Sequence, residues 1–328
     1  MYDSVAAGRD CPKGNVRLVE DLRTGLVRNS EFDPALMDYD AAYQNEQGNS
    51  PRFRSHMNDV ADLVLAHMGR EGLIEVGCGK GLFLEVLAER GVRASGFDPT
   101  YEGDSLNVQK VYFSEELGIK GEGLILRHVL EHIEDPITFL QRLAGANGNK
   151  GLIYIEVPCF EWIVGNRAWF DIFYEHVNYF RLGDFRRIFG RVVHADYSFG
   201  GQYLRIIGDL ATIRRPEYDP ADSVNFPSDF LMGIQDALSS PGPVIVWGGA
   251  SKGVIFSLYL ERSGRKVDRV IDINPAKQGK FLPGTGLCVS SPEQGLANLP
   301  NGCTIYVMNP NYLEEVRQKA GPQFHYKV

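Results

Sequence analysis

Three short segments carry side chains whose types and spacing can do chemistry. The first is Glu75-Val76-Gly77-Cys78-Gly79-Lys80-Gly81. An acid closes an apolar run there, and three glycines at alternate positions let the backbone turn tightly and approach a ligand. Roughly 20 residues on, Asp98-Pro99 offers a carboxylate where nucleotide-type folds accept ribose hydroxyls. The second is Arg127-His128-Val129-Leu130-Glu131-His132-Ile133-Glu134-Asp135-Pro136. Its His128-x-x-Glu131-His132 subset fits the H-x-x-E-H zinc pattern. Asp135-Pro136 cuts a metal helix short, however, and no third ligand is evident, so a pair of structural histidines stands beside the zinc reading. The third is Trp169 to Phe180, where Tyr174, Glu175, His176 and Asn178 interleave with aromatics. Burial in such a surface shifts pKa values and suits proton transfer; an aromatic lid without chemistry is the competing reading.

The elements that must position these groups follow from periodicity. Met57, Val60, Leu63, Val64 and Met68 recur at helical spacing from about Arg52 to Gly69. Strand, helix and strand then read over Gly72 to Gly77, Gly81 to Arg90 and Ala94 to Asp98, which is a βαβ unit. Apolar runs at Gly123 to Leu126 and Leu152 to Glu156, separated by a helical pattern from Pro136 to Ala144, continue an open parallel sheet. Pro216, Pro220, Pro227, Pro241 and Pro243 bracket a helix at Ser228 to Leu238 and mark a boundary. The alternation then restarts: strand Pro243 to Trp247, glycine-rich turn Gly248 to Gly253, helix Val254 to Arg262, strand Val267 to Ile273 and an acid at Asp272. The expected organisation is an irregular, partly helical N-terminal arm (1–51), a first α/β domain (52–208), a linker with a helix (209–242) and a second α/β domain (243–328).

Composition bounds the function classes. The chain has 328 residues, 44% of them hydrophobic and 23% charged, enough for two ordinary globular domains. A net charge of −8 argues against a general nucleic-acid or anionic-membrane surface. Five cysteines with no C-x-x-C pair indicate neither a disulfide framework nor a zinc ribbon, and no signal peptide or long apolar run is evident. A cytoplasmic protein with no membrane partner and no bound metal is the expectation.

With these residues assembled, the chain resembles the sugar C-methyltransferases, which methylate nucleotide-linked keto sugars of deoxysugar pathways. Glu75 to Gly81 resembles the first motif of class I S-adenosylmethionine (SAM) methyltransferases. Val129 to His132 resembles the family's "VLxH" segment, Phe173 to Phe180 its aromatic Glu-His segment, and Gly200-Gly201-Gln202-Tyr203-Leu204-Arg205 its Gly-Gly-x-Leu-Arg stretch. Asn274 to Thr285 matches its second nucleotide-like domain most distinctively. The likeness runs from about Leu36 to the C-terminus.

That resemblance implies a class I SAM-dependent methyltransferase domain of Rossmann-like α/β fold, followed by a second Rossmann-like domain. SAM is the implied cofactor, with S-adenosylhomocysteine as product, and a nucleotide sugar the implied substrate. Cofactor-binding positions are then Glu75, Gly77, Cys78, Gly79, Gly81, Asp98, Pro99, Arg127 and His128. Catalytic positions are His176 as general base with Glu175, His132 and Tyr174. Substrate-binding positions are Tyr43, Asn178, Arg205, Lys252, Lys277 and Lys280, the lysines near a diphosphate; solvated surface charges are their alternative. Two departures stand out. Only Cys11-Pro12-Lys13-Gly14 corresponds to the family's N-terminal zinc module, and Phe173 and Tyr174 replace its Tyr-His. Phenylalanine neither donates nor accepts a proton, so carbon, oxygen and nitrogen acceptors all stay open. A SAM-binding protein without chemistry and an NAD-dependent oxidoreductase are the rival readings, the latter without a G-x-G-x-x-G turn.

Overall fold

The computed structural model describes residues 1–37 and 48–328, so the expected site residue Tyr43 lies outside the described residues. The N-terminal arm is more ordered than an irregular segment. Strands β1 (Leu18–Glu20) and β2 (Val27–Asn29) form an antiparallel hairpin, too short to show alternation in the sequence. The arm also reaches the far end of the chain: Tyr2 and Phe281 exchange backbone hydrogen bonds of 3.0 and 2.9 Å. Phe32 lies against Tyr174, with ring centroids 5.5 Å apart.

The first amphipathic helix spans Pro51–Met68 because its ends are specified. Ser50 Oγ accepts the Phe53 amide at 3.2 Å, Pro51 opens the helix, and Gly69 at φ 79° closes it. Its buried face is Phe53, His56, Met57, Val60, Ala61 and Val64, the spacing of one helical stripe. Ser50 Oγ also donates to Glu315 at 2.9 Å, which ties this helix start to the second half of the chain.

Eight further strands follow: β3 (Leu73–Val76), β4 (Ala94–Phe97), β5 (Val108–Gln109), β6 (Gly123–Arg127), β7 (Leu152–Pro158), β8 (Asn178–Tyr179), β9 (Val192–Ser198) and β10 (Tyr203–Asp209). Seven make one sheet in the order β5-β4-β3-β6-β7-β10-β9, while β8 joins the hairpin through β2. Strands β3 to β7 are parallel, as their alternation with helices implies. β10 runs antiparallel to both β7 and β9, so the sheet is mixed rather than wholly parallel. Both faces are covered: Leu124 and Leu126 pack in one core cluster, and Ile125 between them in another. That explains the continuous apolar runs of the parallel strands.

The second sheet is parallel throughout. Its strands are β11 (Val244–Trp247), β12 (Arg269–Ile271), β13 (Val289–Ser290), β14 (Thr304–Val307) and β15 (His325–Lys327), in the order β13-β12-β11-β14-β15. The helix after β11 spans Ser251–Arg262, so Ser251, Lys252 and Gly253 form its first turn rather than a preceding loop. Gly253 is obligatory there, since a Cβ would sit 1.8 Å from the Gly248 carbonyl oxygen. The linker helix is Met232–Ser239, later than Ser228 to Leu238. In each sheet the order reverses beside the first strand of the unit, β3 or β11, and ligands bind at the carboxyl ends of strands at such switch points.

Ser50→Ala should remove a helix cap and a link to Glu315 together. The expected cost is about 1–2 kcal/mol, read as a lower denaturation midpoint, and most of it should also appear in Glu315→Ala.

Candidate active site

The two switch points open onto one cavity of about 430 Å³. Gly77 to Lys80 line it from the first unit, and Trp247, Gly248 and Ala250 to Gly253 from the second. Gly77 and Gly79 adopt left-handed φ values of 72° and 52°. A Cβ on Gly77 would come within 2.5 Å of Val129 Cγ2, whereas above Gly79 the space is open, which suits close approach of a ligand to backbone.

The two turns are fastened alike. Gly79 N donates to Asp98 Oδ2 at 2.8 Å, and Gly249 N to Asp272 Oδ2 at 2.8 Å. The other oxygen of Asp98 accepts from the amide and hydroxyl of Thr100, and that of Asp272 from the Asn274 amide. Asp98 and Pro99, expected at the cofactor, do not line the cavity. The Asp98 carboxylate is engaged in holding the turn, and only its second lone pairs remain for a ribose.

Glu75 does line the cavity, at the end of β3. Burial pushes its carboxyl up to about 8, with Arg127 opposing and Asp98 and Glu156 adding to the shift. Its Oε2 has no hydrogen-bond partner among the described residues. An orphaned acid beside a glycine turn fits a ligand that brings a cationic donor to that wall, as the ammonium of a bound amino-acid moiety does. Cys78 lines the same wall, its thiol raised by burial.

Behind this wall lies a fully buried carboxylate, Glu156 on β7. It meets Arg127 Nη2, His128 Nε2, His56 Nε2 and Tyr154 Oη, each at 3.0 Å. Burial opposes its charge, but Arg127, His128 and His56 outweigh burial and hold it well below the usual carboxylate range. Burial also works against a charged His128, yet Glu131 and Glu156 raise its pKa to about 9. His128 has φ 52°, a backbone state rare for a side-chain-bearing residue, and lines the cavity as a cation. This disposes of the H-x-x-E-H reading: residues 130–132 form one 3₁₀ turn, and His128 is committed to Glu156.

His132 and His176 meet in the cavity with ring centroids 5.0 Å apart. His132 Nδ1 donates to the Glu175 carbonyl at 2.8 Å. His176 is buried against Phe173, with ring centroids 4.0 Å apart. Burial first, then the charges of His132, His128 and Lys252, holds it well below the ordinary histidine value, so the ring is neutral. One cavity thus carries a cationic histidine and a neutral one.

The remaining expected residues divide. Lys252 lines the cavity, paired with buried Asp171 at 2.6 Å, and Lys277 lies buried 3.4 Å from Asp272, so neither is a solvated surface charge. Tyr174 and Glu175 do not face the histidine pair. Both line a separate cavity of about 1380 Å³ under the arm, where Tyr174 Oη accepts the Asp33 amide at 2.7 Å; Glu175 serves the pair only through its carbonyl. Asn178 donates to the Ile133 carbonyl as a strut, Arg205 is paired bidentately with Asp196, and Lys280 pairs with Asp3 at the surface. None of these three lines the cavity. Glu131, singled out in the sequence only for the zinc pattern, lines it, as do Asp171, Gln202 and Asn309, which sequence reasoning assigned no role. Gln202 links Asp171 (3.4 Å) to Asn309 (2.9 Å) across the two units, and only its place after Gly200-Gly201 flagged it.

Known proteins resemble each of the two units. A family model described as a methyltransferase domain matches residues 49–192, and one described as a C-methyltransferase C-terminal domain matches 223–325. The C-methyltransferase NovU of Streptomyces niveus is 24% identical over 303 residues, covering 77% of this chain and 71% of its own length. Among solved structures, magnesium protoporphyrin IX methyltransferase from Synechocystis PCC 6803, with bound SAM, is 16% identical. It covers 50% of this chain and 84% of its own, with a TM-score of 0.35. The 1,6-didemethyltoxoflavin-N1-methyltransferase of Burkholderia thailandensis is 14% identical, covering 60% and 98%, with a TM-score of 0.36.

Glu75 gives a pH prediction. Its folded pKa lies above its unfolded value of 4.5. The ligand-free fold is therefore least penalised below pH 4.5 and loses stability as pH rises from there towards 8. At pH 7 the penalty is on the order of 3 kcal/mol, so Glu75→Gln should raise the apo midpoint at neutral pH and flatten its pH dependence between 5 and 8. An unchanged pH profile would show that Glu75 is ionised in the apo fold.

Proposed function

We infer that this chain, an S-adenosylmethionine-dependent methyltransferase whose first unit has the class I Rossmann-like fold, methylates a nucleotide-linked sugar at the carbon beside a keto group. The non-catalytic and nicotinamide-dependent readings left open by the sequence give way to that enzyme class. The observation that carries the substrate reading is the neutral His176 in a cavity shared by two nucleotide-type units.

The cofactor-facing wall is the Gly77 to Lys80 turn with Glu75, Arg127 and His128. When bound, SAM supplies a methyl group already electrophilic on a sulfonium and leaves as S-adenosylhomocysteine. The chain supplies alignment, a base and a field. His176, neutral at physiological pH, takes the proton from the carbon next to the keto group and becomes an imidazolium. Arg127 and protonated His128 give the positive field in which the sugar's oxygen carries the released electron pair. That assignment replaces Tyr174, which is bonded to Asp33 instead.

The second unit is read as the nucleotide end. Lys80, Lys277 and Lys319 join Arg127, His128 and Lys252 along the cavity and outnumber its carboxylates, although the chain carries a net −8. A cationic cavity in an acidic protein favours an anionic acceptor such as a nucleoside-diphosphate sugar. The C-methyltransferase match over 223–325 and the likeness to NovU support carbon as the acceptor atom.

The test is incubation with SAM and a panel of nucleotide-linked keto, amino and hydroxy sugars in deuterated water. A methylated keto sugar with deuterium exchange at the neighbouring carbon is expected; methylation without exchange would move the acceptor to oxygen or nitrogen. His176→Ala should keep SAM affinity while losing exchange and at least about a hundredfold of turnover, the usual minimum for a general base. Wild-type turnover in that variant removes His176 from the role.

A further inference from the structure

We propose that Tyr174 is a positioning residue for His176: it fastens the N-terminal arm to the loop that presents the base, so that seating of the arm sets the geometry of proton removal. His176 does not sit on the seven-stranded sheet. It lies in a loop that runs into the short strand β8, and β8 pairs with the arm's β2, Val27 opposite Tyr179 and Arg28 opposite Asn178. The Asn29 amide donates to the Val177 carbonyl at 2.8 Å, which carries that contact to the residue after His176. Tyr174 makes the matching connection before it. Its hydroxyl accepts the Asp33 amide at 2.7 Å and donates to the Asp33 carbonyl at 3.3 Å, and its ring lies against Phe32. A further part of the arm closes on the same ring, since a Cβ on Gly14 would sit 2.0 Å from Tyr174 Cε2. The arm therefore grips the loop on both sides of the base.

Between these grips the loop meets the first unit through its backbone. The Glu175 carbonyl meets His132 Nδ1 at 2.8 Å, and the Val177 amide donates to the Glu131 carbonyl at 2.8 Å. Tyr179 Oη closes the loop on itself, accepting the Phe173 amide at 3.2 Å and donating to its carbonyl at 3.1 Å, and Phe173 packs on the His176 ring. A base carried on a loop needs such support, because misplacing a reacting group by about 1 Å can cost on the order of a hundredfold in rate. The inference rests on His176 being the base, and it gives Tyr174 a task without contact to the reacting atoms.

The test compares Tyr174→Phe, which keeps the ring and removes both bonds to Asp33, with Gly14→Ala, which pushes the arm off the ring without altering the loop. Each is checked for folding by circular dichroism. Both should raise amide exchange across the arm, keep SAM affinity and lower kcat by about tenfold to a hundredfold. The double variant should lose little more than either single one, since both changes act through one contact. Nitrogen-15 NMR of His176 gives a readout independent of turnover. The groups facing His176 are His128, Glu131 and His132 from the end of β6 and the turn after it, Asp171 and Tyr179 from the aromatic segment and Lys252 from the second unit. None of these changes in either variant, so a His176 titration that rises towards the ordinary histidine value reports loosened packing of its ring. Unchanged kcat with an unchanged His176 titration in the two folded variants overturns the positioning role, as does SAM affinity lost in step with kcat. A shifted titration with undiminished turnover would leave the arm's hold on the loop standing and overturn the base.

Discussion

The buried carboxylate of Glu156 is the constraint on which the cavity depends. It stands opposite Arg127 in the β6–β7 register, so sheet pairing itself brings acid and guanidinium together. A one-residue slip of either strand would put its charged residue on the opposite face from its partner and bury two charges unpaired, which makes this register strongly specified. The same carboxylate takes His56 from the first long helix and His128 from the turn after β6. The His128 amide also donates to the Glu156 carbonyl at 2.9 Å, which secures the left-handed residue. One anion thereby positions a helix, a strand end and the first histidine of the site.

From that arrangement comes a division of charge along one cavity. His128 is held cationic by two carboxylates, while His176, buried against Phe173 and facing other cations, is held neutral. Groups whose surroundings push their pKa values apart take opposite parts in proton transfer. Across the cavity the second unit repeats the first in its fastening, glycine amide to acid, so both switch points are fixed before any ligand arrives. The Asp171–Gln202–Asn309 chain then holds the two edges in place relative to one another.

Much of this was legible because it is local. Glycines requiring positive φ, an acid one strand later and apolar runs between helical patterns are sequence-near signals, and they pointed to the two α/β units and the glycine turns that line the cavity. The three-residue hairpin strands and antiparallel β9 and β10 were not legible: the former are too short for a period, and the half-buried β9 lacks a clean alternation. Side-chain direction was the other limit. In the segment from Phe173 to His176, neighbours point into different cavities, so Tyr174 and Glu175 could not be sorted from His176 by spacing. Glu156 reads as one more strand residue, and only long-range contacts reveal it as the hub.

The central claim is that two histidines facing one cavity hold opposite charge states at neutral pH. Nitrogen-15 NMR of the imidazoles across pH 5 to 9, with His128→Gln and His176→Gln used for assignment, tests it most directly. His128 should stay doubly protonated through pH 8, and His176 should be neutral at pH 7 and take up its second proton only well below the usual histidine value, in keeping with their shifts to opposite sides of that value. Two histidines titrating together near the unperturbed value of about 6.5 would contradict the account.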